Sequence, residues 1–454
     1  MKGAIFAGAT ALVGVGLSAF AADPVPSTAT AEALPCTLSG CVDEALRYAP
    51  EVRAKDAATD AARYASKAAR GNYGPRLVVD GGVQVWNDEQ VISFDLPATL
   101  PITLPPTVVR EQVTWSVNVT IAQPLTQLWT ISESNALAQL GVDVAELDRE
   151  ASLRTTALDT TSAWIQAGLA ENVVDVTKAS LGARQSDREK AGALVKGGVL
   201  VEADLARADL GVTQAKQSVS QAERGVSLGR ARLSQLVGHP TQPERVKLEG
   251  TLRPLPVATL AEAQARASSD RLELKVVRTR IQQAETSVAV AKSKMLPEVN
   301  LVAQAQFSRP SALSEGEAAF VGVTFKWEAW AWGSTYYGID QAEATLRQAK
   351  EAQTQVEDGL RLEVESAWID YQKSVEQAEL ATEAVKVSQI NYELVQKRLS
   401  AKAATTFDVV TAETDLTQAK INIEVAHANA LLARARLARA MGLSAEDIAR
   451  EGAP

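Results

Sequence analysis

Residues 113–122 read VTWSVNVTIA, in which Val113, Trp115, Val117, Val119 and Ile121 alternate with Thr114, Ser116, Asn118 and Thr120. Successive side chains of a strand point to opposite faces, so this run has one apolar and one polar face. Period 2 over about 9–11 residues is what a strand of a membrane barrel needs, with lipid on one side and water on the other. Taken alone, the run fits a half-buried sheet in a soluble domain better.

Three other runs repeat the pattern. LVVDGGVQVW, from Leu77, sets Leu77, Val79, Val83 and Val85 against Asp80 and Gln84. VNLVAQAQF, from Val299, sets Val299, Leu301, Ala303, Ala305 and Phe307 against Asn300, Gln304 and Gln306. FVGVTFKWE, from Phe320, sets Val321, Val323, Phe325 and Trp327 against Thr324, Lys326 and Glu328. Four such strands in a chain otherwise nearly all helical in character favour the barrel. Four strands cannot close, and an open sheet in a bilayer leaves edge N–H and C=O groups unpaired, each costing on the order of several kcal/mol. The barrel is therefore expected to be shared between protomers. Two chains would give eight strands with a filled interior, and three give twelve with a channel, so a homotrimer is expected.

These runs belong to a duplicated unit. Ser162-Ala-Trp-Ile-Gln166 answers Ser366-Ala-Trp-Ile-Asp370, with Trp164 and Trp368 separated by 204 positions (368 − 164). The same offset carries Asp204 to Asp408, Gln214-Ala-Lys216 to Gln418-Ala-Lys420, Gly238 to Gly442, and Val117 to Val321. Upstream, Glu51 answers Glu273 and Pro75 answers Pro297 at an offset of 222 (297 − 75). Each unit runs helix, two alternating segments, then a long helical stretch broken near its aspartate. The expected division is a signal peptide at 1–21, an N-terminal periplasmic segment at 22–41, a first repeat at 42–240, a linker at 241–258, a second repeat at 259–442 and a tail at 443–454.

The first helical segment of each unit is expected over Val42–Arg70, interrupted at Pro50, and over Leu260–Lys294, opened by the capping-box pattern Thr259-Leu-Ala-Glu262. From about Ser132 to Ala191 no proline interrupts the helical pattern. Such a run of about 60 residues would be about 90 Å long. After a loose segment the pattern returns over Val201–Val237 and stops at Gly238-His-Pro240. The second unit repeats this from Gly338 to Met441. A coiled-coil rod would explain these helices alone; it would not explain the strands.

The start of the chain, MKGAIFAGATALVGVGLSAFAADP, has a basic residue, an apolar core and an Ala19-Phe-Ala21 cleavage pattern, and reads as a secretory signal. Leu38-Ser-Gly-Cys41 matches a lipoprotein signal-box pattern but lies well beyond the apolar core and is read as coincidence. Cys36 and Cys41 can pair in an oxidising compartment or stay as thiols. Within one helix their Cα atoms would sit too far apart, so a bridge needs the loop before the helix. The net charge of −9, without a dense Lys/Arg patch, argues against nucleic acid. Two distant histidines, His239 and His427, leave little for a metal site. No nucleophile elbow, phosphate loop or dinucleotide fingerprint stands in a strand–turn–helix context. No enzyme, cofactor or metal is expected.

In order and duplication the pattern resembles the TolC-like outer-membrane efflux family. The marks are VDEALRYAPEV from Val42, its degenerate counterpart AQARASSDRLEL from Ala263, Gln123-Pro-Leu125 entering the first long helix, and the two aspartate-bearing breaks. The resemblance implies an α+β membrane protein: a homotrimer whose long α-helical hairpins form a periplasmic tunnel continuous with a twelve-stranded β-barrel in the outer membrane of a Gram-negative-type cell. It implies docking to a periplasmic adaptor protein and an inner-membrane pump, in a tripartite efflux or type I secretion system, with outer-membrane lipid around the barrel. A secreted helical scaffold or adhesin without a pore is the alternative. Departures are Lys326–Gly333 (KWEAWAWG), where residues like QPLFDGG are common, and Ala401–Thr406 (AKAATT), where a glycine is common.

The resemblance also assigns sites. The position matching Asp408 lines the closed periplasmic entrance, and the family's second pore-facing acid falls on Thr411. Asp204, near the start of its returning helix, reads first as a cap favoured by the helix dipole. Trp129, Trp327, Trp330, Trp332, Tyr336 and Tyr337 fall where strands become helices and are expected at the membrane interface. The proline-rich Asp95–Pro106 is expected as an extracellular loop.

Overall fold

The computed structural model describes residues 34–93, 105–243, 259–309, 316–401 and 403–453. The expected signal peptide, most of the proline-rich run 95–106 and most of the linker lie outside the described residues.

The chain opens with β1 (Leu34–Cys36), then α1 (Leu38–Tyr48) and α2 (Pro50–Arg70). Thr37 caps α1, accepting from the Gly40 N–H. Pro50 restarts rather than ends helix, because at the first position of α2 its missing N–H leaves no donor unpaired. Next come β2 (Arg76–Val85), the short pair β3 (Gln90–Ile92) and β4 (Thr107–Arg110), and β5 (Val113–Pro124). A helical hairpin follows: α3 (Leu128–Lys196) and α4 (Glu202–Val237). β6 (Thr241–Pro243) then pairs in parallel with β1. The order recurs as α5 (Leu260–Asp270), α6 (Leu272–Ser293), β7 (Glu298–Ser308), β8 (Glu317–Lys326), α7 (Ser334–Ser400) and α8 (Thr406–Ala440), closed by α9 (Ala445–Gly452). At 69 residues, α3 is about 100 Å long.

β2, β5, β7 and β8 form one antiparallel sheet in the order β2-β5-β7-β8. Val119 stands opposite Val79 and Ala305, which in turn faces Ala319, so the odd-numbered residues share one face. That face is apolar and bare: Val83, Val321 and Phe325 are 71%, 76% and 64% exposed. Among the described residues its two edges, β2 and β8, have no further strand partner. Thr126 ties the base of the sheet to the second unit, its hydroxyl donating to Pro297 O at 2.7 Å and accepting from Val299 N at 2.9 Å.

The core lies part-way along the helices, around Trp164, Ile165, Leu233, Val237, Leu431 and Met441. Trp164 Nε1 donates to Cys36 O at 3.0 Å, and Cys36 is disulfide-bonded to Cys41, one partner in β1 and the other in α1. α3 and α4 approach closely at Gly229, where a Cβ would lie 3.1 Å from Ala167 Cα.

One expectation from sequence is corrected, and two features are added to what the sequence showed. The helix expected over Leu260–Lys294 breaks at Arg271, whose backbone is extended. Its buried guanidinium bonds Glu273 and Glu363 and caps the carbonyl end of α8 through Arg439 O and Ala440 O, 3.2 and 3.1 Å away. Gly442 is required beside it: φ is +82°, and a Cβ would meet Asp270 C at 2.9 Å. The expected tail carries α9, capped by Ser444 and held by Glu451 on the buried Arg434 at 2.6 Å. Finally, the strand-to-helix turn after β8 is built on Trp332, the one non-glycine residue with positive φ (+50°) among those described, followed by Gly333.

Candidate functional site: the hairpin tips

At the ends of the two hairpins the chain turns twice, once through 197–201 and once ahead of Thr405. Both returning helices carry an aspartate at their third position, where a carboxylate meets unpaired backbone N–H groups. Asp408 Oδ2 accepts from Thr405 N at 2.7 Å and from Thr405 Oγ1 at 2.8 Å, while Thr405 Oγ1 accepts from Asp408 N. The Thr405 backbone N–H, seconded by its hydroxyl, holds the fully exposed Asp408 carboxyl below its ordinary range. Thr411, one turn on, is exposed and donates to Phe407 O at 2.9 Å.

Asp204 is placed differently. Its Oδ2 accepts from Val201 N at 3.4 Å, a long cap bond. Its Oδ1 takes the Thr406 hydroxyl at 2.9 Å, joining the start of α4 to the start of α8, and meets Arg207 at 3.5 Å. Asp204 and Asp408 therefore stand on adjacent helix starts.

Farther from the tips, α3 binds the second hairpin through several side chains, among them Asn172, which donates to Glu424 at 2.7 Å. Arg184 Nε pairs with Glu413 Oε2 at 2.5 Å, with side chains only 11% and 4% exposed. Ser180 and Thr417 donate to the other Glu413 oxygen, at 2.5 and 2.7 Å, and Arg184 also reaches Thr414. Gly211 leaves room for this guanidinium, since a Cβ there would lie 3.1 Å from Arg184 Nη1. Asp187 accepts from Tyr392 at 3.0 Å and Gln396 at 3.3 Å, both on α7. Burial, reinforced by the negative Asp187, raises the Tyr392 phenol well above its ordinary value, so it stays a donor at any physiological pH. These links have no local sequence signature; each joins residues more than 200 positions apart.

The aromatic residues gather at the other end, where sheet meets helices. Trp129, near the start of α3, donates to Glu133, and Trp327, just after β8, to Met295 O. Trp330 and Trp332 meet edge to face at 6.1 Å, and Trp330, Trp332, Tyr336 and Tyr337 are largely exposed. Among the described residues no helix is long and apolar enough to cross a membrane, and no group of His, Cys, Asp and Glu is placed to hold a metal.

The chain thus joins a bare apolar sheet face to two long helical hairpins. Residues 264–443 match the family model described as outer membrane efflux protein. The chain is 24% identical over 247 residues to outer membrane efflux protein BepC of Brucella suis biovar 1 (strain 1330), a match spanning 54% of this chain and 54% of that protein. Among solved structures it is similar to CusC, with a TM-score of 0.76 and 13% identity over 90% of this chain and 92% of that one. It is also similar to the outer-membrane channel OprN, with a TM-score of 0.73 and 18% identity over 90% of each chain.

Proposed function

We propose that three copies of this chain close their sheets into a twelve-stranded barrel and their helical hairpins into a periplasmic tunnel. The whole forms an exit duct for a tripartite efflux pump or type I secretion system. The observation that carries this reading is the sheet itself. Its odd-numbered face is apolar and exposed, its even-numbered face is mostly polar, and among the described residues its two edges have no further strand partner. An apolar face this large needs lipid or protein against it, and unpaired edges cannot stay open in lipid. β2 runs away from the helices and β8 returns toward them. Hence β8 of one copy meets β2 of the next antiparallel, as every neighbour within the sheet does.

In this reading the two units, 42–240 and 259–442, are tandem repeats that each supply one strand pair and one hairpin. The six hairpin tips of a trimer form an iris, with Asp408 and Thr411 facing its axis and Asp204 tying neighbouring tips. The α3 links to Tyr392 and Glu413 keep the iris shut until a periplasmic adaptor protein, coupled to an inner-membrane pump, draws the hairpins apart. The aromatic cluster lies at the periplasmic membrane interface, where amphipathic rings are favoured.

The test is mass measurement of the detergent-purified protein together with recording in planar bilayers. A trimer with discrete conductance steps is expected. A monomeric rod that leaves the bilayer silent would instead identify a helical scaffold.

A further inference from the structure

The polar face of the sheet contains one aromatic residue, Phe320. On β8 the even-numbered positions are Ala318, Phe320, Gly322, Thr324 and Lys326, and those of the partner strand β7 include Asn300, Gln304 and Gln306. All other aromatic residues within these four strands, Trp115, Phe307 and Phe325, are odd-numbered and lie on the opposite face. Register puts Phe320 level with Gln304, Thr120 and Val78. The ring is 53% exposed and leans along its strand over Gly322, where a Cβ would come within 3.8 Å of Phe320 Cδ2. Val78, half exposed on the other edge strand, and Val302 on β7 are further apolar side chains on the polar face. Two residues along β2 from Val78, on the same face, is Asp80, its carboxylate accepting from Asn118 at 2.8 Å.

We infer that Phe320 is a substrate-contacting residue of the channel wall, the aromatic member of a station for lipophilic, aromatic cations. The inference rests on the proposed closure of three sheets into a barrel. β8 and β2 are the two edges, so closure brings the Phe320 strand of one copy against the Val78 and Asp80 strand of the next. The lumen then carries three exposed rings, one on the strand beside each seam, in a wall mostly of amides, hydroxyls and charges with small apolar side chains such as Val302 and Ala122 among them. An exposed ring in water gains by covering its face with another apolar group. Its quadrupole attracts a cation, and the Asp80 carboxylate contributes negative charge on the same wall. The basic Lys326 is six residues away, roughly 20 Å along the strand, leaving the station outside its immediate reach.

Single trimers in planar bilayers, blocked with tetraphenylphosphonium and, as a control, tetramethylammonium, test this. Phe320→Ala should raise the concentration of tetraphenylphosphonium for half block by roughly five- to tenfold. Phe320→Leu, which keeps an apolar side chain for packing at the seam but lacks a ring, should shift it in the same direction. Tetramethylammonium block should be unchanged in both, and Phe325→Ala, on the other face, should behave as the unaltered protein. A cationic, membrane-impermeant methanethiosulfonate should lower the conductance of Phe320→Cys and not of Phe325→Cys. Conducting trimers with unaltered tetraphenylphosphonium block, or a Phe320→Cys channel indifferent to the reagent, would overturn the assignment of Phe320 alone. Trimers that never conduct would overturn the duct reading as well.

Discussion

The Tyr392 hydroxyl donates to Asp187 Oδ2 at 3.0 Å, joining α7 to α3 near the far end of the hairpins. About a turn away on α3, Arg184 pairs with Glu413 of α8. One helix of the first hairpin thus holds both helices of the second, and separating the tips breaks these bonds together with the Thr406–Asp204 bond between the helix starts.

Replacing Tyr392 with Phe removes the donor and leaves Asp187 with Gln396 and Lys190. A net hydrogen bond of this type contributes about 0.5–1.5 kcal/mol. Conductance of the purified channel should rise while its thermal unfolding shifts little. A current–voltage curve identical to that of the unaltered protein would show that this bond does not restrain the pore.

The Arg184–Glu413 pair is a separate case because it is buried. Glu413→Ala leaves a guanidinium without its charge partner and should destabilise the chain by roughly 3–5 kcal/mol. Arg184→Met combined with Glu413→Leu should recover much of that loss. A double-mutant cycle in urea reads the coupling, and additive losses would mean that the two side chains act independently.

Asp408 has both a pH signature and a pore signature. Its folded-state pKa is depressed, so its capping contribution is present above the ordinary aspartate value near 4. It is lost as pH falls through the lower folded value. Local opening of 401–408, followed by hydrogen exchange, should therefore increase on acidification below about pH 4, and Asp408→Asn should flatten that dependence. Asp408→Ala should also raise conductance and weaken block by multivalent cations. Unchanged cation block would remove the residue from the pore and leave it as a cap.

Asp204→Ala should chiefly lower stability, by about 1 kcal/mol for a lost cap, since its carboxylate is turned to Val201, Arg207 and Thr406. A conductance change as large as that of Asp408→Ala would contradict this division of roles.

Trp332 is 88% exposed, although a bulky residue at positive φ is unfavourable by roughly 1–2 kcal/mol. Quenchers attached at graded depths along the lipid should reduce its emission most near the headgroups. No quenching at any depth would refute the interfacial placement.

The strands were legible because their signal is local: a two-residue period survives in VTWSVNVTIA whatever it pairs with. β5 extends only two residues past that run, to Pro124. The long helices were legible for the same reason. Arg271 was not, because its extended backbone answers to the carbonyls of Arg439 and Ala440 and to Glu363, all far along the chain. The β3–β4 pair escaped because its strands have only 3 and 4 residues; Arg110 stacked 3.8 Å over the Trp86 ring helps to hold it, and that pairing has no periodicity. α9 had a readable start in Ser444 and Asp447, but its anchor Arg434 is buried in another helix. At the tips, the aspartates could be found by counting along the sequence. The Asp187–Tyr392 and Arg184–Glu413 links needed the hairpins side by side.

The parallel pairing of β1 with β6 sets an order on biogenesis. Leu34 stands opposite Thr241, 207 positions later (241 − 34). At about 5–20 residues per second, a nascent chain made from its N-terminus carries its opening strand without a partner for about 10–40 s. Only when the first hairpin has been made and Thr241 follows it can β1 dock, with Cys36 O then in reach of Trp164. Of the described strands, the first to be synthesised is thus a clasp that waits for the first half of the molecule, and a chain truncated before Thr241 would lack its partner strand.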